Sequence, residues 1–180
     1  RNYFSQLKVK AVIVQKNCTD DAVRAAQAMN LHLIEIIPVP GKAGKFRLEP
    51  PGSGTVTEPE FATSTDISHV FFTSGTTSRP KIVPISQKQI FSIQKQHCQT
   101  LGIRSDDRCL HIVPYYHGMG IGPPLLTVLY AGGTVICTRE FIPSDFPDIL
   151  KTFQPTIYAA GPTLLAGILR ELKRNPSEKS

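Results

Sequence analysis

Residues 67–86 read ISHVFFTSGTTSRPKIVPIS. The two apolar runs in this stretch, residues 67–73 and 81–85, are rich in β-branched and aromatic side chains and predict strands. The polar segment between them is longer than the two residues that a simple hairpin needs. The stretch therefore predicts two strands that present a polar loop.

Strands and helices alternate downstream of this stretch. Ser86 and Gln89 have the spacing of a capping box, which predicts a helix from there to Leu101, ended by Gly102. Further strands are predicted at residues 108–113, 134–137 and 156–159, and helices at residues 123–130, 144–153 and 164–172. This alternation predicts an α/β fold, with a mainly parallel sheet and helices on both faces.

The upstream part of the chain predicts a smaller βαβ segment, residues 1–39. It contains the apolar runs 9–14 and 32–37, separated by an alanine-rich helical stretch that begins after Thr19 and Asp20 and stops at Asn30. Residues 40–66 hold four prolines and four glycines without periodicity, which predicts a long loop. We expect residues 67–180 to form the α/β core segment of one incomplete domain.

The polar loop, residues 73–81, has a composition suited to phosphate. It reads TSGTTSRPK and combines five hydroxyl side chains, one glycine and two cations. Backbone N–H groups around Gly75 can form an anion-binding nest, hydroxyls can follow phosphate oxygens or reach Mg²⁺, and Lys81 can neutralise a terminal phosphate. A solvated Ser/Thr-rich turn is the alternative interpretation.

A P-loop is excluded by two positions. Gly75 and Lys81 have the spacing of that motif, but Pro80 stands where its second glycine belongs and Ile82 where its Ser or Thr belongs. The segment that follows also predicts a strand rather than a helix. The loop therefore belongs to another class of phosphate site.

A second candidate segment, PYYHGMG at residues 114–120, follows the strand predicted at 108–113. Open α/β sheets place their ligands at the carboxyl ends of strands, so this segment is a candidate substrate site. A core histidine on a buried turn is the alternative for His117.

Both segments resemble the signature sequences of the adenylate-forming superfamily, which includes acyl-CoA synthetases, luciferases and peptide-synthetase adenylation domains. The loop is similar to the pattern [ST]-S-G-[ST]-T-G-x-P-K-G, with Ser78 and Ile82 replacing two glycines, and residues 114–120 are similar to P-x-[FY]-H-x-x-G. The resemblance implies that the chain is part of the large domain of such an enzyme.

By that resemblance, the loop holds the phosphates of ATP and Lys81 clamps the leaving pyrophosphate, with Thr76 contacting Mg²⁺ or phosphate. The nucleotide-binding residues would be Thr73, Ser74, Gly75, Thr76, Thr77, Ser78, Arg79 and Lys81. His117 would be the second catalytic residue, and the carboxylate substrate would lie against Tyr116, His117, Gly118 and Met119. Relatives that activate amino acids tend to carry Asp after the aromatic residue, so His117 favours an acid without an α-amino group.

The implied parent reaction converts a carboxylate and MgATP into an acyl-adenylate and pyrophosphate. The acyl group is then transferred to a thiol, expected to be that of coenzyme A as in fatty acid metabolism, and AMP is released. The Y-G-x-[TS]-E and T-G-D segments that complete such a site do not occur in the 180 residues. We therefore expect a fragment that is inactive alone and acts with the remainder of the large domain and a C-terminal domain. A non-catalytic truncated homologue, or a phosphate-binding or interaction module, is the alternative.

Composition and charge limit the classes of partner that the chain is expected to bind. The formal net charge is +6, from 20 Lys and Arg against 14 Asp and Glu, but no basic tail or interleaved Arg and aromatic pattern indicates a nucleic-acid surface. The four cysteines lie far apart without metal-ligand spacing, which is typical of reduced thiols in a cytoplasmic protein. Residues 1–10 lack the apolar core of a signal peptide, and prolines interrupt the uncharged stretch 109–138, so no transmembrane segment is predicted.

Overall fold

The first 60 residues form one of the two units into which the chain divides, Arg1–Glu60 and Phe61–Ser180. The computed structural model describes residues 2–42, 44–49, 58, 60–73, 81–138 and 141–174. The helices are α1 (Asn2–Leu7), α2 (Asp21–Ala28), α3 (Gln87–Leu101), α4 (Gly118–Ile121), a π-helix (Gly122–Thr127), α5 (Val128–Ala131), a 3₁₀ turn (Pro143–Asp145), α6 (Phe146–Phe153) and α7 (Pro162–Arg174). The strands are β1 (Ala11–Gln15), β2 (His32–Pro38), β3 (Phe46–Glu49), β4 (Ile67–Thr73), β5 (Lys81–Ser86), β6 (Arg108–His111), β7 (Thr134–Cys137) and β8 (Ile157–Ala159).

The first unit contains the predicted βαβ arrangement. Strands β1 and β2 are parallel, and α2 connects them. Asp20 caps α2, since its side chain accepts a hydrogen bond from the Val23 N–H at 3.0 Å. Strand β3 pairs antiparallel with β2, so the range 40–66, predicted as a loop, contains a strand. Phe46 and Leu48 are the alternate apolar residues of this short strand, and its four residues are too few to show a period among prolines and glycines.

The second unit contains two sheets. Strands β4 and β5 form an antiparallel pair, and β6 lies between β7 and β8 in a parallel sheet. The prediction of an α/β fold is confirmed. The prediction of a mainly parallel sheet holds for β7-β6-β8 and for the β1-β2 pair, whereas β4-β5 is antiparallel because one loop joins the two strands directly.

Alternating side chains of β6 and of Ile112, the residue that follows it, point to the two faces of the parallel sheet. Leu110 and Ile112 join Ile136, Phe146 and Ile168 in the hydrophobic core beneath α6 and α7. Cys109 and His111 are also buried, and they point to the opposite face. On that face the π-helix contacts β6, and α5 contacts β7. Helices therefore cover both faces of this sheet, as predicted.

The π-helix replaces part of the single helix predicted over residues 123–130. It includes Pro123 and Pro124, which have no N–H to donate to the preceding turn. A wider turn accommodates the two rings, and regular α-helical geometry resumes only at Val128.

Candidate functional site

The β4-β5 hairpin holds the two ends of the polar loop side by side. Thr73, the last residue of β4, is the cross-strand partner of Lys81, the first residue of β5. Both residues are exposed. Residues 74–80 lie outside the described residues, and with them the predictions for Ser74, Gly75, Thr76, Thr77, Ser78 and Arg79.

Lys81 carries a charge that no described carboxylate neutralises. The ion pairs found among the described residues join other side chains, such as Lys16 with Glu49 and Arg104 with Asp106. An exposed ammonium beside the loop is therefore available to an anionic ligand.

The second segment forms a tight turn followed by the short helix α4. The His117 N–H donates to the Pro114 carbonyl at 3.1 Å, and the Gly120 N–H donates to the His117 carbonyl at 2.9 Å. The side chain of Tyr116 is 80% exposed, and its ring lies 4.5 Å from that of His117. His117 and Met119 are exposed as well, so the turn presents the predicted substrate residues to the outside.

Gly120 closes this turn by direct backbone packing. A Cβ atom at this position would lie 2.2 Å from the Pro114 carbonyl oxygen and 3.1 Å from the Val113 carbonyl oxygen. Only glycine permits this approach, because any other residue would force the two backbone segments apart.

The structure brings the turn close to the strand that leads into the polar loop. A Cβ atom on Gly118 would lie 3.9 Å from Cε1 of Phe71, which precedes Thr73 by two residues on the same face of β4. The predicted substrate-binding turn therefore lies beside β4, the strand that ends at Thr73, the first residue of the polar loop.

His111 is a buried residue of the site that the sequence alone does not single out. Its side chain is only 3% exposed, and its Nε2 atom lies 2.7 Å from the Gly120 carbonyl oxygen. Its ring stacks on Tyr115 at 4.2 Å between centroids and 15° between planes. The signal in the sequence was Pro124, which deprives the Gly120 carbonyl of its α-helical N–H partner four residues later.

A cavity of about 340 Å³ lies at the carboxyl ends of β6 and β7, next to this histidine. It is lined by His111, residues 112–114, Tyr115, Thr138 and Phe141, and not by the predicted substrate residues 116–119. The Tyr115 hydroxyl donates to Cys137 Sγ at 3.3 Å. Partial burial is the main cause, and this hydrogen bond the second, of a pKa of Tyr115 that is raised to about 12. The hydroxyl is therefore protonated at neutral pH and can donate.

A buried polar network joins α3 to the π-helix behind the turn. The Thr127 hydroxyl, with no exposed surface, donates to Gln94 Oε1 at 2.6 Å and lies 3.3 Å from His97 Nδ1. The Cys98 thiol donates to the Thr127 carbonyl. These bonds satisfy polar groups that burial would otherwise penalise, and they fix the π-helix against α3.

Neither a metal cluster nor a membrane-spanning helix occurs in the described part of the chain. No three His, Cys, Asp or Glu side chains gather there in a way that could hold an ion. The helices of that part are also too short or too polar to cross a bilayer. Thr76, the predicted metal contact, lies outside it.

The sequence profile of one protein family, described as "AMP-binding enzyme", matches residues 2–180. The chain is 33% identical to the 2-succinylbenzoate–CoA ligase of Bacillus velezensis over 120 residues, which cover 66% of the chain and 24% of the relative. It is 26% identical to the oxalate–CoA ligase of Saccharomyces cerevisiae over an alignment of 200 residues, which covers 97% of the chain and 36% of the relative.

Solved structures share the fold. A malonyl-CoA ligase in a ternary product complex with methylmalonyl-CoA and AMP matches 98% of the chain with a TM-score of 0.73 and 20% identity, over 35% of its own length. ATP-bound MatB from Rhodopseudomonas palustris matches 96% with a TM-score of 0.69 and 22% identity, over 33% of its length. The chain thus spans about a quarter to just over a third of the length of these four proteins.

Proposed function

The chain belongs to the AMP-binding enzyme family, and from this premise we propose that it is the nucleotide- and carboxylate-binding part of an acyl-CoA synthetase. In the proposed parent reaction, a carboxylate oxygen attacks the α-phosphorus of ATP, and the bond to the leaving pyrophosphate breaks. The thiolate of coenzyme A then attacks the acyl carbon, which releases AMP and leaves a thioester.

One observation carries this proposal: the approach of Gly118 to Phe71, two residues before Thr73. Adenylation requires two anions, a carboxylate and a polyphosphate, to be held together against their mutual repulsion. A substrate-binding turn beside the strand that leads into a phosphate-binding loop would meet that requirement.

The proposed roles follow from charge and exposure. The loop 73–81 receives the phosphates, and the exposed ammonium of Lys81 stabilises the negative charge that develops on the leaving pyrophosphate. The carboxylate side of the site is lined by Tyr116, His117, Gly118 and Met119. The His117 ring donates a hydrogen bond to the acid. Mg²⁺ would arrive on the phosphates of ATP, with Thr76 as a contact.

We further propose an acid without an α-amino group as the substrate. His117 supplies no carboxylate partner for an ammonium group. Relatives named for 2-succinylbenzoate, oxalate and 3-hydroxybenzoate support this class of acid.

The 180 residues should bind ligands weakly and form no adenylate by themselves. The adenine, ribose and metal-Glu segments of the family pattern do not occur in them, so we expect water and salt to screen the phosphate contacts. We expect a dissociation constant for MgATP weaker than about 1 mM. This outcome would separate the binding module from a complete ligase.

Two assays test the proposal. Amide chemical shifts recorded with MgATP should move at Thr73 and Lys81, Lys81→Ala should reduce these shifts, and Lys88→Ala, an exposed lysine on α3, should not. Pyrophosphate release should show no dependence on added fatty or aryl acids. Shifts that are insensitive to Lys81→Ala would refute the role of the loop, and acid-dependent release would show that a complete site lies within these residues.

A further inference from the structure

We propose that His111 is a positioning residue, which fixes the substrate-binding turn by holding both of its ends with one imidazole ring. The inference rests on the proposed function of residues 116–119, and it assigns a role to a strand histidine outside the two signature segments. Its ring contacts Tyr115, immediately before those residues, and Gly120, immediately after them.

The first contact replaces a hydrogen bond that proline removes. In a regular α-helix the Gly120 carbonyl would accept from the N–H of residue 124, but Pro124 has none. Gly120 is buried and pressed against Pro114, so water is a poor substitute at this carbonyl. The His111 Nε2 atom at 2.7 Å supplies the missing donor.

This contact also determines which ring nitrogen carries a hydrogen. A carbonyl oxygen only accepts hydrogen bonds, so His111 must be protonated at Nε2. The tautomer is a consequence of the neighbouring backbone, and it can be measured directly.

The second contact holds the other end of the turn. The His111 and Tyr115 rings are nearly parallel at 4.2 Å, and the Tyr115 hydroxyl is bonded to Cys137 at the end of β7. Tyr115 is thus anchored to β6 through its ring face and to β7 through its hydroxyl. Residues 116–119, between the two anchored ends, are exposed and free to contact a ligand.

A purely structural histidine would support the core without controlling this turn. The two roles differ in where a substitution acts. Loss of a positioning residue loosens the turn selectively, whereas loss of a core residue weakens the whole unit.

Nuclear magnetic resonance on the wild-type chain gives the first test. We expect a slowly exchanging His111 Nε2 proton with a through-space contact to Gly120, and ring nitrogen shifts of the Nε2–H form. A ring protonated only at Nδ1, or an Nε2 proton that exchanges as fast as that of an exposed histidine, would overturn the proposal without any variant.

Matched variants separate the two contacts. His111→Phe keeps a ring for stacking and loses the donor, whereas His111→Gln keeps a donor at the Nε2 position. We expect the amides of Gly120 and Ile121 to exchange about tenfold faster in His111→Phe, with recovery towards wild type in His111→Gln. Ile168→Val, in the core on the other face of the sheet, is the control for general loss of stability. Uniform acceleration like that of the control, or no acceleration, would refute the positioning role.

Benzoate is the probe that tests whether the positioning of the turn by His111 affects carboxylate binding. Wild type should show benzoate-dependent shifts at His117 and Gly118, which His111→Phe should reduce and His111→Gln should retain. Equal shifts in all three proteins would refute positioning. If wild type shows none, the carboxylate site proposed above fails, while the ring-proton and exchange results still decide whether His111 holds the turn.

Discussion

Replacing Gly120 by alanine should destabilise the second unit, although the same change inside a helix usually stabilises it. Alanine is favoured over glycine in a helix by about 1 kcal/mol. At Gly120, however, the added Cβ would lie 2.2 Å from the Pro114 carbonyl oxygen. The contact must be relieved by moving backbone, because neither partner is a flexible side chain.

The size of the effect follows from the displacement. A carbon and a carbonyl oxygen approach to about 3.3 Å in proteins, so the turn has to open by roughly 1.1 Å. Overpacking of this kind costs about 1–3 kcal/mol, with rigid backbone at the upper end. After the gain in helix propensity, we expect a net loss of about 2 kcal/mol, which lowers the melting temperature of a unit of this size by about 8 °C.

Urea and thermal unfolding followed by circular dichroism would measure the loss. Gly118→Ala in the same turn is the matched control, because a Cβ there would lie 3.9 Å from Phe71 Cε1, an ordinary van der Waals distance, and φ is not positive. The control should be as stable as wild type or slightly more stable. A Gly120→Ala protein with the stability of the control would refute the close packing of the turn, and with it the reason why this position requires glycine.

Three further perturbations test other parts of the second unit. Thr127→Val should cost about 1–3 kcal/mol in urea unfolding because it leaves buried Gln94 without its donor, whereas Thr134→Val on an exposed site should change little. The Arg104 N–H and the Thr156 hydroxyl lower the pKa of Asp107 below its ordinary 3.8, so the stability that this carboxylate provides is present above that pH and is lost as the pH falls through the lowered value. Asp107→Asn should therefore lower the melting temperature at pH 7 and reduce the decrease in melting temperature between pH 7 and pH 3. An unchanged decrease would contradict this. Tyr115→Phe should abolish the last tyrosine ionisation seen at 295 nm in alkaline titration, near pH 12, and its persistence would mean that another tyrosine has the raised pKa.

Local signals in the sequence predicted local structure well. The Ser86 hydroxyl accepts from the Gln89 N–H, the Gln89 side chain accepts from the Ser86 N–H, and α3 ends at Gly102 in the left-handed conformation, all as the spacing indicates. These features depend on residues within one or two turns of one another. The alternation of strands and helices is likewise predicted by short runs of apolar residues with the period of a strand or of a helix.

Features that depend on distant partners were not predictable in the same way. Strand β3 pairs with β2 through a register that its own four residues do not indicate, and the π-helix is held against α3 by the hydrogen bond from Thr127 to Gln94, 33 residues away. Which apolar side chains of the last helix reach the core is another feature of this kind. Ile168 is buried, but Leu169 is 58% exposed, because the core contacts one side of α7.

The candidate site shows the same division. Its two signature segments can be recognised from their residues, whereas the approach of the second segment to β4, through Gly118 and Phe71, is a tertiary contact between residues 47 positions apart. His111 stood among several strand histidines, and only the position of Pro124 distinguished it. The roles of the loop residues and of Tyr116 and His117 stay predictions.

The pairing of Thr73 with Lys81 has a consequence for how freely the segment between them can change. Strand pairing, and not the seven intervening residues, sets the distance between the two ends. For a flexible connection, lengthening it from seven to nine residues would add only about 0.2 kcal/mol of closure entropy. The β4-β5 pairing therefore holds Thr73 and Lys81 side by side, at little cost in closure entropy when the connecting segment changes in length. For the anion site proposed above, this leaves the composition and length of the connecting segment open to engineering of a different anion preference.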